Sequence, residues 1–300
     1  MRVATFALSN QMLQASLTTQ ARMSQAQLQE ASGLVSTDYG GLGGDAGTVI
    51  DLETSLSRLS SYSDAATTAV NRIEVMYDVM SSVTDLLASF RSTLSSASLD
   101  TDADTVATTA QSALDELVSL LNTQYNGRTL FSGSHTDSPA VDLDGLTYDL
   151  STLETAQTGY YQGDDRTSSV RVSSSQVVTY GVTADSDGIE TAIRVLASFA
   201  TATSDTLTDD AVATGMALIS DAVDDILVSQ TGLSLDASTL EGAIERNEST
   251  ITLASEMVSD IAETDIAEVA VRISAYETQL EASYAALAKI QSVNLLDYLS

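Results

Sequence analysis

The chain has 300 residues, and 43% of them are hydrophobic, so it can bury at least one sizeable core. It carries 42 acidic residues against 12 basic ones, and the net charge of −30 disfavours nucleic acid and anionic membranes as partners. No cysteine is present, which excludes disulfides, thiolate metal sites and cysteine catalysis.

The acidic residues are concentrated in the middle of the chain. Residues 1–37 contain one acid and two arginines, whereas residues 136–190 contain ten acids and two arginines. Charge is depleted at buried interfaces and abundant on solvated surfaces, so we expect the ends to pack against protein and the middle to face water. An acidity that serves only solubility is an equal alternative.

Periodic apolar residues predict a long first helix over residues 5–31, with Gly33 as a left-handed C-terminal cap. No continuous apolar stretch of a cleaved secretory signal occurs there, so we expect any export to use another route. A glycine-rich break over residues 39–45 follows the helix. The periodic positions are Leu13, Leu17, Ala21, Leu28 and Ala31.

Two further helices are predicted before the middle of the chain. Over residues 66–97 apolar residues alternate steps of three and four without a miss, which is typical of a bundle or coiled-coil seam. A third helix is predicted over residues 106–121. Short alternating segments such as residues 145–150 and 169–173 then predict a β-rich insertion over residues 136–187.

Helical periodicity returns at Glu190, again over residues 212–227, and in a last segment over residues 238–296. The last segment follows heptad steps in two sets, and the phase shifts at Ala262. This four-residue stutter unwinds a supercoil locally, and we interpret it as a joint between two helical layers. An ordinary long helix in a monomeric bundle has the same periodicity.

The chemistry-bearing residues do not form a recognisable catalytic or metal site. His135 is the only histidine, and it has no cysteine or second histidine to complete a site. Asp164 and Asp165 lack the ligand spacing of a calcium loop and are expected in a solvated turn. The glycine run at residues 40–44 has no following lysine, so it is not a nucleotide loop. We therefore expect no enzyme activity, no cofactor and no metal.

Three segments resemble the flagellin and hook-associated protein family. The opening region, with Ala31-Ser-Gly33 and residues 52–59, is similar to the family's N-terminus. The tail over residues 280–290 and 295–299 is similar to its C-terminal helix. The stretch over residues 120–134 resembles the signature N-G-R-x-L-F-x-G, which is formed here by Asn126, Gly127, Arg128, Leu130, Phe131 and Gly133.

Residues 160–165, 170–172 and 178–182 resemble family members of the hook-filament junction more than filament flagellin. The chain departs from the family after Gly33, where Leu34 and residues 38–45 replace a basic residue and a Ser-Asp-Asp-Pro type turn. That departure leaves the first contact between helices open.

The resemblance implies a mainly α protein, in which N- and C-terminal segments form a long coiled-coil-like helical bundle and a small β-rich domain is inserted in the middle. The implied parts are terminal assembly segments at residues 1–45 and 259–300, which are disordered in the free monomer, a helical bundle domain at residues 46–135 and 188–258, and an outward domain at residues 136–187. Arg128 is a candidate to position the entry to the outward domain through a charge-assisted hydrogen bond.

The resemblance also implies a structural subunit that is exported without a cleaved signal and forms a ring-like adaptor at the hook-filament junction. The implied partners are copies of itself, a neighbouring hook-associated protein, flagellin, the flagellar export apparatus and an export chaperone; the implied location is extracellular. Filament flagellin and a secreted acidic binding module are the alternatives. The residues expected to mediate self-assembly are Leu13, Leu17, Leu28, Ile266, Val269, Ile273, Tyr276, Leu280, Leu287, Ile290, Leu295 and Leu296.

Overall fold

The computed structural model describes residues 2–97 and 102–299, and it describes side chains for residues 7–97 and 102–290. This part of the chain is mainly α-helical, which confirms the predicted fold class. The helices are α1 Arg2–Ser32, α2 Ala46–Ser96, α3 Ala103–Leu121, α4 Asp187–Ala200, α5 Asp209–Ala262 and α6 Ile266–Leu299. The strands are β1 Gln124–Tyr125, β2 Arg128–Thr129, β3 Ser168–Arg171 and β4 Val177–Tyr180, and short 3-10 helices occupy Tyr39–Asp45 and Leu150–Thr152.

The chain divides into two compact units. One unit comprises Met1–Arg58 with Thr250–Ser300, and the other comprises Leu59–Ser249. The main hydrophobic core lies in the second unit, and residues of the 136–187 segment such as Tyr160 belong to it together with the surrounding helices. A small separate cluster lies in the first unit and contains Ala26, Val269 and Ile273. The three-part division expected from the sequence stays a prediction.

The predicted seam of α2 is confirmed. Its positions from Ala66 to Leu94 are buried at every three- or four-residue step, although the helix begins well before them, at Ala46. The short helix α4 is enclosed on nearly all sides, so that two of its charged side chains are buried together with the apolar ones. Phe199 of α4 meets Phe90 of α2 edge to face, with ring centroids 5.8 Å apart. α4 is therefore the centre of the second unit.

The C-terminal helices differ from the prediction in continuity. The two segments expected at residues 212–227 and from residue 238 form one uninterrupted helix, α5. The expected stutter at Ala262 is instead a break over residues 263–265, so the joint is at the predicted place but the helix is not continuous. Backbone bonds pin this break to the end of α1, because Val35 N donates to Ala262 O at 2.7 Å and Thr264 N donates to Gly33 O at 2.9 Å.

The middle of the chain contains less β-structure than predicted. Within residues 136–187 the extended pairing is limited to the antiparallel hairpin of β3 and β4 and a single bridge between Val141 and Tyr161. Residues 145–150, expected as an alternating strand, are irregular and lead into the second 3-10 helix. The Asp149 carboxylate caps that helix by accepting from Ser151 N at 2.7 Å. Local capping by an aspartate is the competing preference that overrides the alternation.

The C-terminal end of α1 follows the sequence expectation. Gly33 adopts φ 71°, and its N–H bonds the Gln29 carbonyl at 2.8 Å, so it is the predicted left-handed cap. The described helices include none that is both long and apolar enough to cross a membrane.

Candidate assembly surface

Helix α1 presents two different rows of residues at heptad steps. The row that is buried against α6 is centred on small residues, two of them polar: Ser16, Thr19 and Ala26 are 5%, 8% and 4% exposed, and the half-buried Met12 and Met23 lie on the same side. The row of leucines predicted from the sequence lies on another side of the helix. Leu13, Leu17 and Leu28 are 45%, 50% and 64% exposed.

Buried hydroxyls on α1 are possible because each is satisfied by its own helix. Ser16 Oγ donates to Met12 O at 3.0 Å, and Thr19 Oγ1 donates to Ala15 O at 3.1 Å. A buried hydroxyl with a hydrogen-bond partner avoids the cost of an unsatisfied polar group. The polar row can therefore pack against α6 and leave the leucines unused within the chain.

Helix α6 uses its predicted row differently. Val269, Ile273 and Leu280 are buried, and Tyr276 packs against the cluster that α1 joins through Ala26. Leu287 and Ile290 continue the row half-buried, whereas Ile266 is exposed. Leu295 and Leu296 lie in α6, but their side chains are outside the described residues.

Two exposed apolar residues of α6 were missed by sequence reasoning. Val271 and Tyr284 are 70% and 51% exposed and fall between the heptad positions that the periodicity singled out, although they lie on different sides of the helix. Large exposed apolar side chains that group together mark interaction surfaces rather than ordinary solvated faces. The leucine row of α1, formed by Leu13, Leu17 and Leu28, is called the assembly surface below.

The signature segment forms a two-residue hairpin. Tyr125 pairs with Arg128, and the loop residues Asn126 and Gly127 have φ of 52° and 74°. Asn-Gly with positive φ at both positions is the preferred type I′ turn, whose twist matches the flanking strands. The Arg128 side chain is exposed, and it forms no charge-assisted hydrogen bond within the described part of the chain.

The end of the signature anchors the middle segment. Leu130 and Phe131 are in the core, and Gly133 adopts φ 66° where a Cβ would lie 2.3 Å from the Asp164 carbonyl oxygen. The Asp164 carboxylate accepts from the Ser134 hydroxyl and from Ser134 N, the latter at 2.7 Å, and these bonds lower its pKa. Asp164 is thus accessible to solvent, as expected, but its carboxylate also holds Ser134 in place, which the sequence did not predict.

Two other polar residues of this region, Asp165 and His135, lie on the surface. Asp165 is exposed, in agreement with the expected turn. His135 is also exposed, with Nδ1 3.3 Å from the Gln162 carbonyl oxygen. Neither residue has the partners of a catalytic or metal site.

A buried ion pair in α4 was not anticipated. Arg194 Nε lies 3.0 Å from Glu190 Oε1, and both side chains are almost fully buried. Arg194 also donates to the Leu153 carbonyl, and Glu190 accepts from Gln157 N at 2.8 Å. The pair thus ties the segment around residues 153–157 to α4. The only signal in the sequence was the four-residue spacing of opposite charges on one helix face.

The prominent features of the described residues are contacts between helices and within the signature segment. No group of three or more histidines, aspartates or glutamates among the described residues is placed to hold a metal ion. The features that stand out are an unused apolar surface on the terminal helices and a tightly anchored signature segment.

Comparisons with known proteins agree with this architecture. The family model for the N-terminal helical region of bacterial flagellin matches residues 3–136, and the model for its C-terminal helical region matches residues 216–299. Together they match more than two thirds of the chain. No curated protein matches the chain in sequence.

Two solved structures share the fold. A protein assigned as a flagellar hook-associated protein from Vibrio parahaemolyticus is 18% identical with a TM-score of 0.59, and the match covers 75% of this chain and 99% of that one. Flagellar hook-associated protein 3 from Legionella pneumophila is 14% identical with a TM-score of 0.54, and the match covers 70% of this chain and 98% of that one. By its N- and C-terminal helical regions, the chain belongs to the bacterial flagellin family.

Proposed function

We propose that the protein is a structural subunit of the bacterial flagellum that forms an adaptor layer at the hook-filament junction. The observation that carries the proposal is the assembly surface: α1 packs on α6 through Ser16, Thr19 and Ala26, and its leucines stay exposed. A soluble monomer gains nothing from a leucine row in water, whereas neighbouring subunits can bury it. The hook-associated structures of similar fold favour the junction over the filament as its location.

The proposal includes the binding partners of the protein and its export route. Copies of this chain form the ring, a neighbouring hook-associated protein and flagellin lie on its two sides, and the protein reaches the outside through the flagellar export apparatus without a cleaved signal, with the help of an export chaperone. Terminal helices that fold fully only on assembly suit such a passage, because an unfolded segment is what a narrow channel admits.

Immunogold labelling of isolated flagella tests the location. Gold at a single band between hook and filament is expected. Labelling along the whole filament would replace the proposal with filament flagellin, the other candidate within the family. A deletion strain separates the two as well, since loss of a junction protein leaves hooks that release flagellin into the medium.

Substitutions on α1 test the role of the assembly surface. Leu13→Ser with Leu17→Ser should abolish incorporation into flagella and leave the unfolding midpoint of the monomer nearly unchanged, because both leucines are exposed in the monomer. Gln14→Ser with Gln20→Ser changes exposed polar residues of the same helix and serves as the matched control. Normal incorporation of the leucine variant would refute the role of this row.

A further inference from the structure

One face of α5 in the Leu59–Ser249 unit has no explanation within the chain. Val228, Gly232 and Leu235 follow one another at steps of four and three, so they share a side of the helix, here called the glycine face. Val228 and Leu235 are 71% and 64% exposed. Residues 226–235 carry no charge, although the chain as a whole has a net charge of −30. An uncharged and apolar helix face of this kind is typical of an interface centre.

Gly232 is a second indication that this face is an interface. It lies in the interior of a long helix, where glycine is disfavoured, and its φ is not positive. A Cβ at this position would meet no atom within 4 Å, so no contact inside the chain requires a glycine. A glycine on an open helix face permits the close approach of another backbone. The glycine face can therefore accept a protruding backbone segment of a partner.

The charges around the glycine face restrict what it receives. Asp224 and Asp225 are exposed one turn before Val228. If two glycine faces met in parallel, these carboxylates would face each other, and like charges across an interface disfavour binding. A different surface that brings a cation to this end of the face is the better complement.

The same unit offers such a surface on the signature hairpin. Arg128 is exposed and unpaired within the described part of the chain, and it follows the tight turn of Asn126 and Gly127, whose small size suits a contact over Gly232. We propose that the Asn126–Gly127 turn of one copy docks on the glycine face of a second copy, with Arg128 beside Asp224 and Asp225. Such a contact joins two different patches, so copies add head to tail into a ring or a helical layer rather than a closed dimer. The inference rests on the proposed function, because it needs neighbouring copies in an assembly.

Cysteine crosslinking in isolated flagella tests the contact, since the chain has no cysteine of its own. A chain with both Arg128→Cys and Asp224→Cys, treated with a short bismaleimide, should give dimers and a ladder of higher multimers. Either cysteine alone should give monomer only. Dimers from Asp224→Cys alone would overturn the proposal in favour of a face that meets itself. A double variant that is present at the junction but gives no ladder would overturn the contact and leave the proposed function intact; absence of the wild type from the junction would instead refute the proposed function.

Charge reversal supplies a second measurement. Arg128→Glu should lower incorporation into flagella by at least about tenfold, and adding Asp224→Arg with Asp225→Arg should restore it. Arg166→Glu changes an equally exposed arginine on another loop and should have no effect. Gly232→Leu should block incorporation without lowering the melting temperature of the monomer, whereas Ser234→Leu, on a different side of α5, should not block it. Failure of the rescue, or normal incorporation of Gly232→Leu, would contradict the proposed contact.

Discussion

Two glycines of the signature have different reasons to be glycine, and substitution can separate them. Gly127 and Gly133 both have positive φ, but only at Gly133 would a Cβ collide with Asp164. Gly127→Ala should cost about 1–2 kcal/mol of unfolding free energy through backbone strain alone. Gly133→Ala should cost an additional ~1–3 kcal/mol because Asp164 must move. Urea unfolding of both variants measures the difference, and equal losses would contradict the close contact.

The buried pair of Glu190 and Arg194 predicts a non-additive pair of substitutions. Arg194→Met should lower the unfolding free energy by about 3–5 kcal/mol, because it leaves the Glu190 carboxylate buried without a counter-charge. Adding Glu190→Met should recover part of this loss, since no buried charge then remains. A double-mutant cycle by urea unfolding measures the coupling, with the exposed Arg171→Met as control. Strictly additive losses would contradict an interacting pair.

Tyrosines of the middle segment predict a loss of stability at alkaline pH. Burial raises the pKa of Tyr160 and Tyr161, and the nearby carboxylates of Glu190 and Asp185 add to the effect. Above about pH 10 the unfolded chain releases these protons while the folded chain keeps them, so stability is full below that pH and falls as the pH rises. Unfolding free energies measured on both sides of about pH 10 should show the decline.

Tyr160→Phe gives the matching residue test. It should flatten the alkaline decline and, at neutral pH, cost about 1 kcal/mol for the lost hydrogen bond to the Ala184 carbonyl. Tyr77→Phe, on an exposed ring, is the control. An unchanged slope in Tyr160→Phe would mean that another group causes the decline.

Only some of the roles of single residues could be predicted from the sequence. The Asn126-Gly127 turn was readable because its chemistry is local. The role of Asp164 was not, since its partner Ser134 is 30 residues away and nothing in a single sequence links the two. Arg128 was expected to form a charge-assisted bond within the domain, but its side chain is exposed and no such bond occurs among the described residues.

The packing of α1 on α6 predicts how substitutions on α6 change the stability of α1. Ile273→Ala removes a buried side chain from the small cluster and should weaken the pairing by about 2–5 kcal/mol. Val271→Ala truncates an exposed side chain on the same helix and should change it by no more than about 0.5 kcal/mol. Hydrogen exchange of α1 amides reports the difference, with faster exchange expected only for Ile273→Ala. Equal exchange in both variants would contradict the pairing.

Helices were the best-predicted elements, because the seams of α2 and α3 repeat the same apolar spacing over many turns. Hydropathy failed on α1, where it selected the leucines while the residues facing α6 include Ser16 and Thr19. Local hydrogen bonds to the preceding turn make these hydroxyls compatible with burial, and a hydropathy pattern contains no sign of them. The continuity of α5 was missed for a related reason: the exposed apolar residues Leu227, Val228 and Leu235 interrupt its periodicity without breaking the helix.

The position of the main core predicts that the two units differ in their ability to fold independently. Every member of the main core lies between Ala66 and Ala243, inside the Leu59–Ser249 unit. A fragment of residues 59–249 should therefore unfold cooperatively, close to the midpoint of the full chain. The first unit has only a small cluster and should show faster proteolysis before about residue 45 and after about residue 259. A fragment without a cooperative transition, or equal protease resistance along the chain, would contradict this division.

The bridge between Leu34 and Glu263 has a consequence for how the protein can vary in length. It fixes the end of α1 beside the start of α6, so the register between the two helices is set at this point. Inserting or deleting one residue in either helix turns everything beyond it by about 100° and exchanges the buried row for the leucine row. Viable relatives should therefore lengthen or shorten these helices by whole heptads, and in both helices together.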